Sequence, residues 1–263
     1  MTDYRTWERR TPRQRLVRYL AGLLTIVAAA ISWRLLRINY DYLGTAPVEF
    51  MDLINRMYPP NVAYTGQILS PMIETIHIAI LGTALAVLMS IPVALIGAEN
   101  TTPNRLTFLL GKFIISASRS VNVIIWALVF VIIFGSGALA GTLAIAVRSI
   151  GFCSKLISEA IEEIDPGQVE AIKATGANSI EAAIYGIAPQ VKPALIGVST
   201  YRWDINVRAS TIIGFVGAGG IGVELNTAIN FFQWQRVLTI LLAILGIVIF
   251  SEFVSAYLRR KVR

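Results

Sequence analysis

Long apolar runs separated by short polar stretches dominate the pattern of this chain of 263 residues. Each run is close to the ~20 residues that a helix needs to cross a hydrocarbon core of ~30 Å. The runs do not alternate between apolar and polar positions, so they are typical of helices rather than of barrel strands. The pattern predicts an all-α, polytopic helical membrane protein with six transmembrane helices. Their predicted bounds are residues 16–36, 71–98, 106–134, 138–160, 193–216 and 237–258.

Composition and charge support a membrane protein and indicate its orientation. Apolar residues make up 55% of the chain, above the ~45–50% of ordinary soluble domains. Basic residues gather near both ends, which predicts cytoplasmic termini by the positive-inside rule and disfavours a nucleic-acid partner. They are Arg5, Arg9, Arg10, Arg13, Arg15 and Arg18 at the front, and Arg259, Arg260, Lys261 and Arg263 at the back. We interpret the first apolar run as a retained span, because bulky residues follow it in place of a cleavage pattern.

Six crossings that begin in the cytoplasm place residues 161–189 in the cytoplasm and residues 37–70 outside. The outer segment has no excess of basic residues, in agreement with that topology. Within it, residues 48–57 are expected to form a short amphipathic helix at the membrane interface, which a Pro-Pro pair then ends. The third span carries Lys112, Arg119 and Asn122 among its apolar residues, so we expect it to bend or break near Arg119.

Residues 161–189 form a polar island with strong helix signals. They predict a short helix, a left-handed glycine turn and a second helix. The signals are Asp165 with Pro166 at the first helix, Gly176 at the turn, Asn178 or Ser179 at the second helix, and Pro189 closing the island before the next span. The island is therefore either a docking knob for a partner or an interfacial hairpin without one.

The same island resembles the cytoplasmic coupling loop of ABC importer permeases. That motif reads Glu-Ala-Ala, three residues, Gly, then nine residues before Ile-x-Leu-Pro. The chain matches it at Glu170, Ala171, Gly176 and Pro189, and differs from it at Ile172, Gly186 and Ala188. The resemblance implies that the island docks on a cytoplasmic ATPase. The implied docking residues are Glu170, Ala171, Ala174, Gly176 and Asn178.

Further stretches resemble the phosphonate-importer permease subfamily, to which phosphite permeases are close relatives. These stretches are Arg119-Ser120-Val121-Asn122, residues 154–176, Asn206-Val207-Arg208 and residues 211–222. The resemblance covers residues 70–263 and implies a five-helix core similar to that of methionine importers, with the coupling loop at 161–189. Residues 1–69 would add an N-terminal cytoplasmic tail, a first transmembrane helix and an extracytoplasmic interfacial segment.

The resemblance also implies the partners. The chain would form a non-catalytic channel with a second copy of itself, surrounded by lipid in the bacterial cytoplasmic membrane. Two ABC ATPase subunits would bind ATP and Mg²⁺, and an extracytoplasmic binding protein would deliver a phosphonate or phosphite. No cofactor or metal is expected in this chain itself. The alternatives are a permease of the same architecture for methionine or phosphate, and an ion-coupled transporter that uses Glu74, His77 and Asp204.

Gly217, Gly219, Gly220 and Gly222 form a run that matches the dinucleotide fingerprint G-x-G-x-x-G. That fingerprint needs a preceding strand and a βαβ unit, whereas this run follows a transmembrane span. A nucleotide site is therefore disfavoured. Two alternatives are left, a flexible gate-adjacent turn at the outer mouth of the pathway and a tight turn between the fifth and sixth spans.

Five charged residues are predicted at membrane depth, namely Arg119, Arg148, Arg202, Asp204 and Arg208. A charge at a helix centre costs at least ~2.5–3.5 kcal/mol and usually marks a pathway or a paired network. Asp204 and Arg208 are one helical turn apart and can pair. Because guanidinium forks bind phosphate-like oxygens bidentately, the four arginines are candidates for an electropositive pathway. The alternative is that Asp204, Glu74 or backbone carbonyls neutralise them in helix packing.

Overall fold

A computed structural model describes residues 11–262 of the chain. Across these residues the chain folds into helices joined by short connections, and it contains no β-strand within that range. The predicted all-α fold class is therefore confirmed. Arg5, Arg9, Arg10 and Arg263, which contributed to the predicted orientation, lie outside the described residues.

The helices follow one another with few long connections. Their bounds are α1 Pro12–Leu35, α2 Asp41–Met57, α3 Thr65–Gly97, α4 Arg105–Ser120, α5 Val123–Phe134, α6 Ala138–Glu162, α7 Pro166–Ala174, α8 Ser179–Glu181, α9 Ala188–Ile213, α10 Ile221–Asn230 and α11 Trp234–Val262. Short 3₁₀ turns at Val62–Tyr64 and Gly214–Val216 precede α3 and follow α9, and a π-helical turn at Ala182–Ile187 joins α8 to α9.

Contacts divide the chain into two units. The first runs through Asn55 and contains α1 and most of α2, and the second begins at Arg56. α2 is longer than predicted, since it begins at Asp41, whose backbone N–H donates to Asn39 Oδ1 at 3.0 Å. It ends at Met57, as predicted. The predicted boundary between residues 69 and 70 stays a prediction.

Several helices have the length and composition of membrane spans. Arg13–Leu35 qualifies in the first unit, and Val62–Gly97, Ala138–Glu162 and Trp234–Arg260 qualify in the second. Two further pairs qualify together but are bent, Arg105–Ser120 with Val123–Phe134 by 90° and Ser179–Val216 with Ile221–Asn230 by 42°. If each bent pair is one span, the described residues contain up to 6, the number predicted from the sequence.

The predicted break near Arg119 is confirmed. α4 ends at Ser120, and α5 begins at Val123 after a 90° bend. Asn122 caps α5, because its Oδ1 accepts the backbone N–H of Ile124 at 3.1 Å. Side chains of Asn and Ser compete with the helix backbone for hydrogen bonds, which favours an interruption at this place.

α6 is the central helix of the second unit and contacts α3, α4, α5 and α9. Glycines make two of these approaches possible. A Cβ at Gly82 of α3 would lie 2.7 Å from Ile145 Cγ2 in α6. A Cβ at Gly151 of α6 would lie 2.6 Å from the carbonyl oxygen of Ile115 in α4. Because the interior is close-packed, a side chain at either glycine would push the neighbouring helix away.

The helix bundle of the second unit has two ends. At the island end, the backbone N–H of Glu99 donates to Glu162 Oε1 at 3.1 Å, which joins the end of α3 to the end of α6. At the opposite end, called the glycine end, the backbone N–H of Gly137 donates to the carbonyl oxygen of Gly217 at 2.9 Å. α6 therefore runs from the glycine end to the island end, and α9 leads back.

Candidate functional site

The first half of the island forms the exposed helix that the sequence predicts. α7 begins with Pro166, and Asp165 Oδ1 accepts the backbone N–H of Gly167 at 2.9 Å. Gly176 has a φ of 89°, in the left-handed region where glycine ends a helix without strain. Gln190 in α9 closes the base of the knob, because its Oε1 accepts the backbone N–H of Asp165 at 2.9 Å.

The second half of the island departs from the prediction. Asn178 caps α8 as expected, since its Oδ1 accepts the backbone N–H of Glu181 at 2.9 Å while Glu181 Oε2 accepts the N–H of Asn178 at 2.7 Å. The expectation that Pro189 closes the island before the next span is wrong. α8 continues through the π-helical turn into α9, which begins at Ala188. Pro189 lies in the first turn of α9, directly after the π-helical turn, and the helical path continues through it.

The predicted docking residues all lie on the exposed surface of this knob, which comprises α7, α8 and the turn between them. They are Glu170, Ala171, Ala174, Gly176 and Asn178. Gly186, which replaces the isoleucine of the motif, lets the two halves pack together. A Cβ at Gly186 would lie 3.2 Å from Val169 Cα. The departure from the motif thus allows α7 to lie close against the π-helical turn.

The glycine run forms the bend between α9 and α10. Gly217, Gly219 and Gly220 have φ values of 82°, 84° and 74°. A Cβ at Gly219 would lie 2.7 Å from Glu74 Oε1, and a Cβ at Gly220 would lie 2.6 Å from Thr75 Oγ1. Since both neighbours belong to α3, the run allows α3 to approach the bend closely.

The position of the run bears on its two interpretations. α10 follows these glycines, and if the bent pair is one span, they lie within that span and not at the turn between the last two spans. Residues 231–233 form that turn instead, before α11 begins. Gly222 lies in the first turn of α10, where a Cβ would lie 2.9 Å from Gly214 Cα. A role beside a gate stays a prediction.

Asp204 and Arg208 form the predicted ion pair within α9. Asp204 is 4% exposed, and its Oδ1 also accepts the hydroxyl of Ser251 in α11 at 2.9 Å. Arg208 is therefore neutralised within its own helix, as the packing alternative expects for that arginine.

Arg202 is 3% exposed and is held by α6. Its Nε donates to Ser149 Oγ at 2.9 Å, and its guanidinium carbon lies 5.1 Å from the ring centroid of Phe152. Ser149 Oγ in turn donates to Asn206 Oδ1 at 3.2 Å, and Asn206 Nδ2 donates to Thr83 Oγ1 at 2.9 Å. A buried polar chain thus links α3, α6 and α9 near the middle of the bundle.

The other two arginines are placed differently. Arg119 is exposed at the end of α4, where its Cγ would lie 2.9 Å from a Cβ at Gly151. Arg148 is half-buried in α6, and its Nε is buried without a hydrogen-bond partner in the part of the chain that the structure describes. Glu74 lies at the glycine bend and forms no ion pair with a described arginine. The five charged candidates therefore differ in burial and in the partners of their side chains.

The groups suggested for ion coupling do not form a relay either. His77 is exposed on α3, and Asp204 is engaged by Arg208 and Ser251. Among residues 11–262, no cluster of three or more His, Cys, Asp or Glu side chains could hold a metal ion.

Sequence reasoning missed the neutral side chains that organise the middle of the bundle. They are Thr83, Ser149, Asn206 and Ser251, all buried. One signal was present, since Asn206 lies one turn from Arg202 and polar groups in a span face the bundle interior. Lone Ser and Thr residues are harder to recognise, because they also bond to their own helix backbone.

A model of a known protein family matches the helix bundle of the second unit. Residues 66–263 match the family described as binding-protein-dependent transport system inner membrane component. The chain belongs to this family. It is an ABC importer permease subunit, as the coupling-loop resemblance predicted.

Other permeases are similar in sequence to this chain over most of its length. The phosphite transport system permease protein PtxC of Stutzerimonas stutzeri is 40% identical over 208 residues, 79% of this chain and 76% of that protein. The phosphate-import permease protein PhnE of Mycolicibacterium smegmatis is 36% identical over 251 residues, 95% of this chain and 47% of that protein.

A solved structure shows the same fold. The permease superposes on a chain of the inward-facing MetNI methionine ABC transporter with a TM-score of 0.65 at 21% identity, covering 77% of the permease and 99% of that chain. The likeness confirms that the core is similar in fold to a methionine-importer permease.

Proposed function

We propose that the permease forms the translocation channel of an ATP-driven importer for phosphonates or phosphite. The observation that carries this proposal is the 40% identity to a phosphite permease over 79% of the chain. The exposed knob at the island end adds a second support, because it offers a structured surface on which an ATPase can dock.

In this assignment the island end and both termini lie in the cytoplasm, and the glycine end faces outward from the bacterial cytoplasmic membrane. Two copies of the permease form the channel, and one ABC ATPase subunit docks on each knob. The ATPases bind ATP and Mg²⁺, and the permease itself catalyses no reaction. A phosphonate- or phosphite-binding protein delivers its cargo at the glycine end. Lipid covers the apolar side chains that α3, α5 and α11 expose.

The knob is joined to the middle of the bundle by a continuous helical path. α8 passes through the π-helical turn into α9, and α9 carries Arg202, Asp204 and Asn206. Closure of the ATPase pair would move the two knobs toward each other. Because each knob leads directly into α9, that motion would reach the buried polar chain without crossing a flexible loop.

The glycine bend supplies a place where α9 and α10 can change their angle. Gly217, Gly219 and Gly220 adopt backbone conformations that favour glycine, and Gly222 packs closely on Gly214. A change of this angle when α9 moves would open or close the outer mouth.

Uptake by the complete importer tests this function. In proteoliposomes that contain the permease, its ATPase and its binding protein, we expect import of phosphite or methylphosphonate to require ATP and to persist when the proton gradient is collapsed. Import of methionine alone would overturn the substrate assignment. Import that stops with an uncoupler and continues without ATP would indicate an ion-coupled transporter instead.

The knob has its own test within the same assay. Gly176 has a φ of 89°, a conformation in which a β-branched residue is strained. Gly176→Val is therefore expected to abolish ATP-driven import while the permease still assembles in the membrane. Normal import by this variant would show that the shape of the knob is not needed for coupling.

A further inference from the structure

Two guanidinium groups in the middle of the bundle have no carboxylate partner among residues 11–262. Arg148 lies near the middle of α6 and Arg202 near the middle of α9. Within the described residues neither forms an ion pair, whereas Arg208 is paired with Asp204. An unpaired charge at membrane depth is costly. Arg148 and Arg202 therefore need a counter-charge that Arg208 already has.

Arg202 presents unused donors in a fixed direction. Its Nε donates to Ser149 Oγ at 2.9 Å, and this is the one hydrogen bond that the Arg202 side chain makes to a described residue. Ser149 is itself held by Asn206, and the ring of Phe152 lies against the guanidinium. Since Arg202 is 3% exposed, packing rather than solvent sets the direction of its terminal nitrogens.

Arg148 brings a second guanidinium to the same place. It directly precedes Ser149 in α6, the residue whose hydroxyl oxygen accepts the hydrogen bond from Arg202 Nε. Its buried Nε has no hydrogen-bond partner in the described part of the chain. Two like charges held together inside a bundle are greatly stabilised by an anion between them.

The type and number of donors indicate which anion this is. Guanidinium forks bind carboxylate and phosphate oxygens bidentately. Two forks can engage all three oxygens of a phosphoryl-type group, whereas a carboxylate offers only two. We propose that Arg148 and Arg202 form a mid-bundle site for a tetrahedral phosphorus oxyanion such as phosphite or an alkylphosphonate. This inference rests on the proposed function, and it narrows the electropositive pathway from four arginines to two.

Direct binding to the isolated permease tests the site. Purified permease in lipid nanodiscs is titrated calorimetrically with phosphite and with methylphosphonate, without the ATPase or the binding protein. Arg148→Gln and Arg202→Gln are each expected to weaken binding by about ten- to a hundredfold, the loss typical of a hydrogen bond to a charged group. Lys155→Gln is the matched control, because it removes one positive charge from α6 at an exposed pair with Glu159. It should leave the affinity unchanged.

The other possible results of the titration also decide for or against the site. If Arg202→Gln does not fold, Arg148→Gln carries the test, since the Nε of Arg148 has no hydrogen-bond partner and its guanidinium forms no ion pair with a described residue. Wild-type affinity in either folded variant, an equal loss in Lys155→Gln, or no binding by the wild-type permease would overturn the site. Import by the complete wild-type importer is measured in parallel. Import of a phosphorus oxyanion alongside such a result leaves the proposed function standing, whereas import of methionine instead removes both.

Discussion

Replacing Gly220 by alanine perturbs the glycine bend at a position where both the backbone conformation and the neighbouring atoms favour glycine. Gly220 has φ 74° and ψ −170°, a backbone region that is essentially restricted to glycine. A Cβ there would also lie 2.6 Å from Thr75 Oγ1 and 3.4 Å from Thr75 Cα. The same Oγ1 accepts the backbone N–H of Ile221 at 2.8 Å. The added methyl group would therefore displace the hydroxyl that holds the start of α10.

The expected loss of unfolding free energy is roughly 1.5–4.5 kcal/mol, from backbone strain of about 1–3 kcal/mol and a lost hydrogen bond of about 0.5–1.5 kcal/mol. Gly197→Ala is the matched control. Gly197 lies inside α9, and a Cβ there would meet no atom within 4 Å. Because alanine favours a helix interior over glycine by about 0.5–1 kcal/mol, the same methyl group should stabilise the permease.

Reversible unfolding of the purified permease in mixed micelles containing SDS, followed by tryptophan fluorescence, measures both variants. Gly220→Ala is expected to unfold at lower SDS than the wild type, and Gly197→Ala at equal or higher SDS. If Gly220→Ala were as stable as the wild type, the bend between α9 and α10 would not depend on glycine at this position.

Three further changes probe the buried polar chain and the knob. Asn206→Ala removes the bonds to Ser149 and Thr83 and should lower the unfolding free energy in the same micelles by about 1–3 kcal/mol; an unchanged value would contradict a role in holding the helices. Asn178→Ala removes the cap of α8, at a cost of about 1 kcal/mol, and should speed amide hydrogen exchange in α8; unaltered exchange would mean that the cap does not hold this turn. Gly186→Leu should push α7 away from the π-helical turn and uncouple ATP hydrolysis from import in the reconstituted importer, whereas coupled import by a stably inserted variant would count against this packing.

Some features of the island were predictable because they depend on a few neighbouring residues. Asp165, Pro166 and Gly176 cap, start and end α7 within one short stretch, and the structure confirms each of these predictions. The fate of Pro189 was not predictable in this way. A proline interrupts a helix when it lies in the helix interior, but it is tolerated in the first turn. The effect of Pro189 therefore depends on the π-helical turn before it, which the sequence does not reveal.

The charged residues show the same difference between interactions within one helix, which were predictable, and interactions between helices, which were not. The pairing of Asp204 with Arg208 followed from a spacing of one helical turn, and the structure confirms it. That Arg202 is held by Ser149 did not follow, because the two residues lie on different helices. Spacing within one helix gives no information about which neighbouring helix a side chain will meet.

By itself, the sequence determined that this chain is a helical membrane permease with an exposed knob of two short helices and a glycine turn. The lengths of the apolar runs and the caps of short helices are local properties, and the structure bears out both. Only the tertiary structure decided that the glycine run bends α9 into α10, and that Arg148 and Arg202 are left without a carboxylate among the described residues. Such contacts join residues far apart in the chain. They depend on how closely and in which register the helices pack, and this is set by approaches such as those at Gly82 and Gly151.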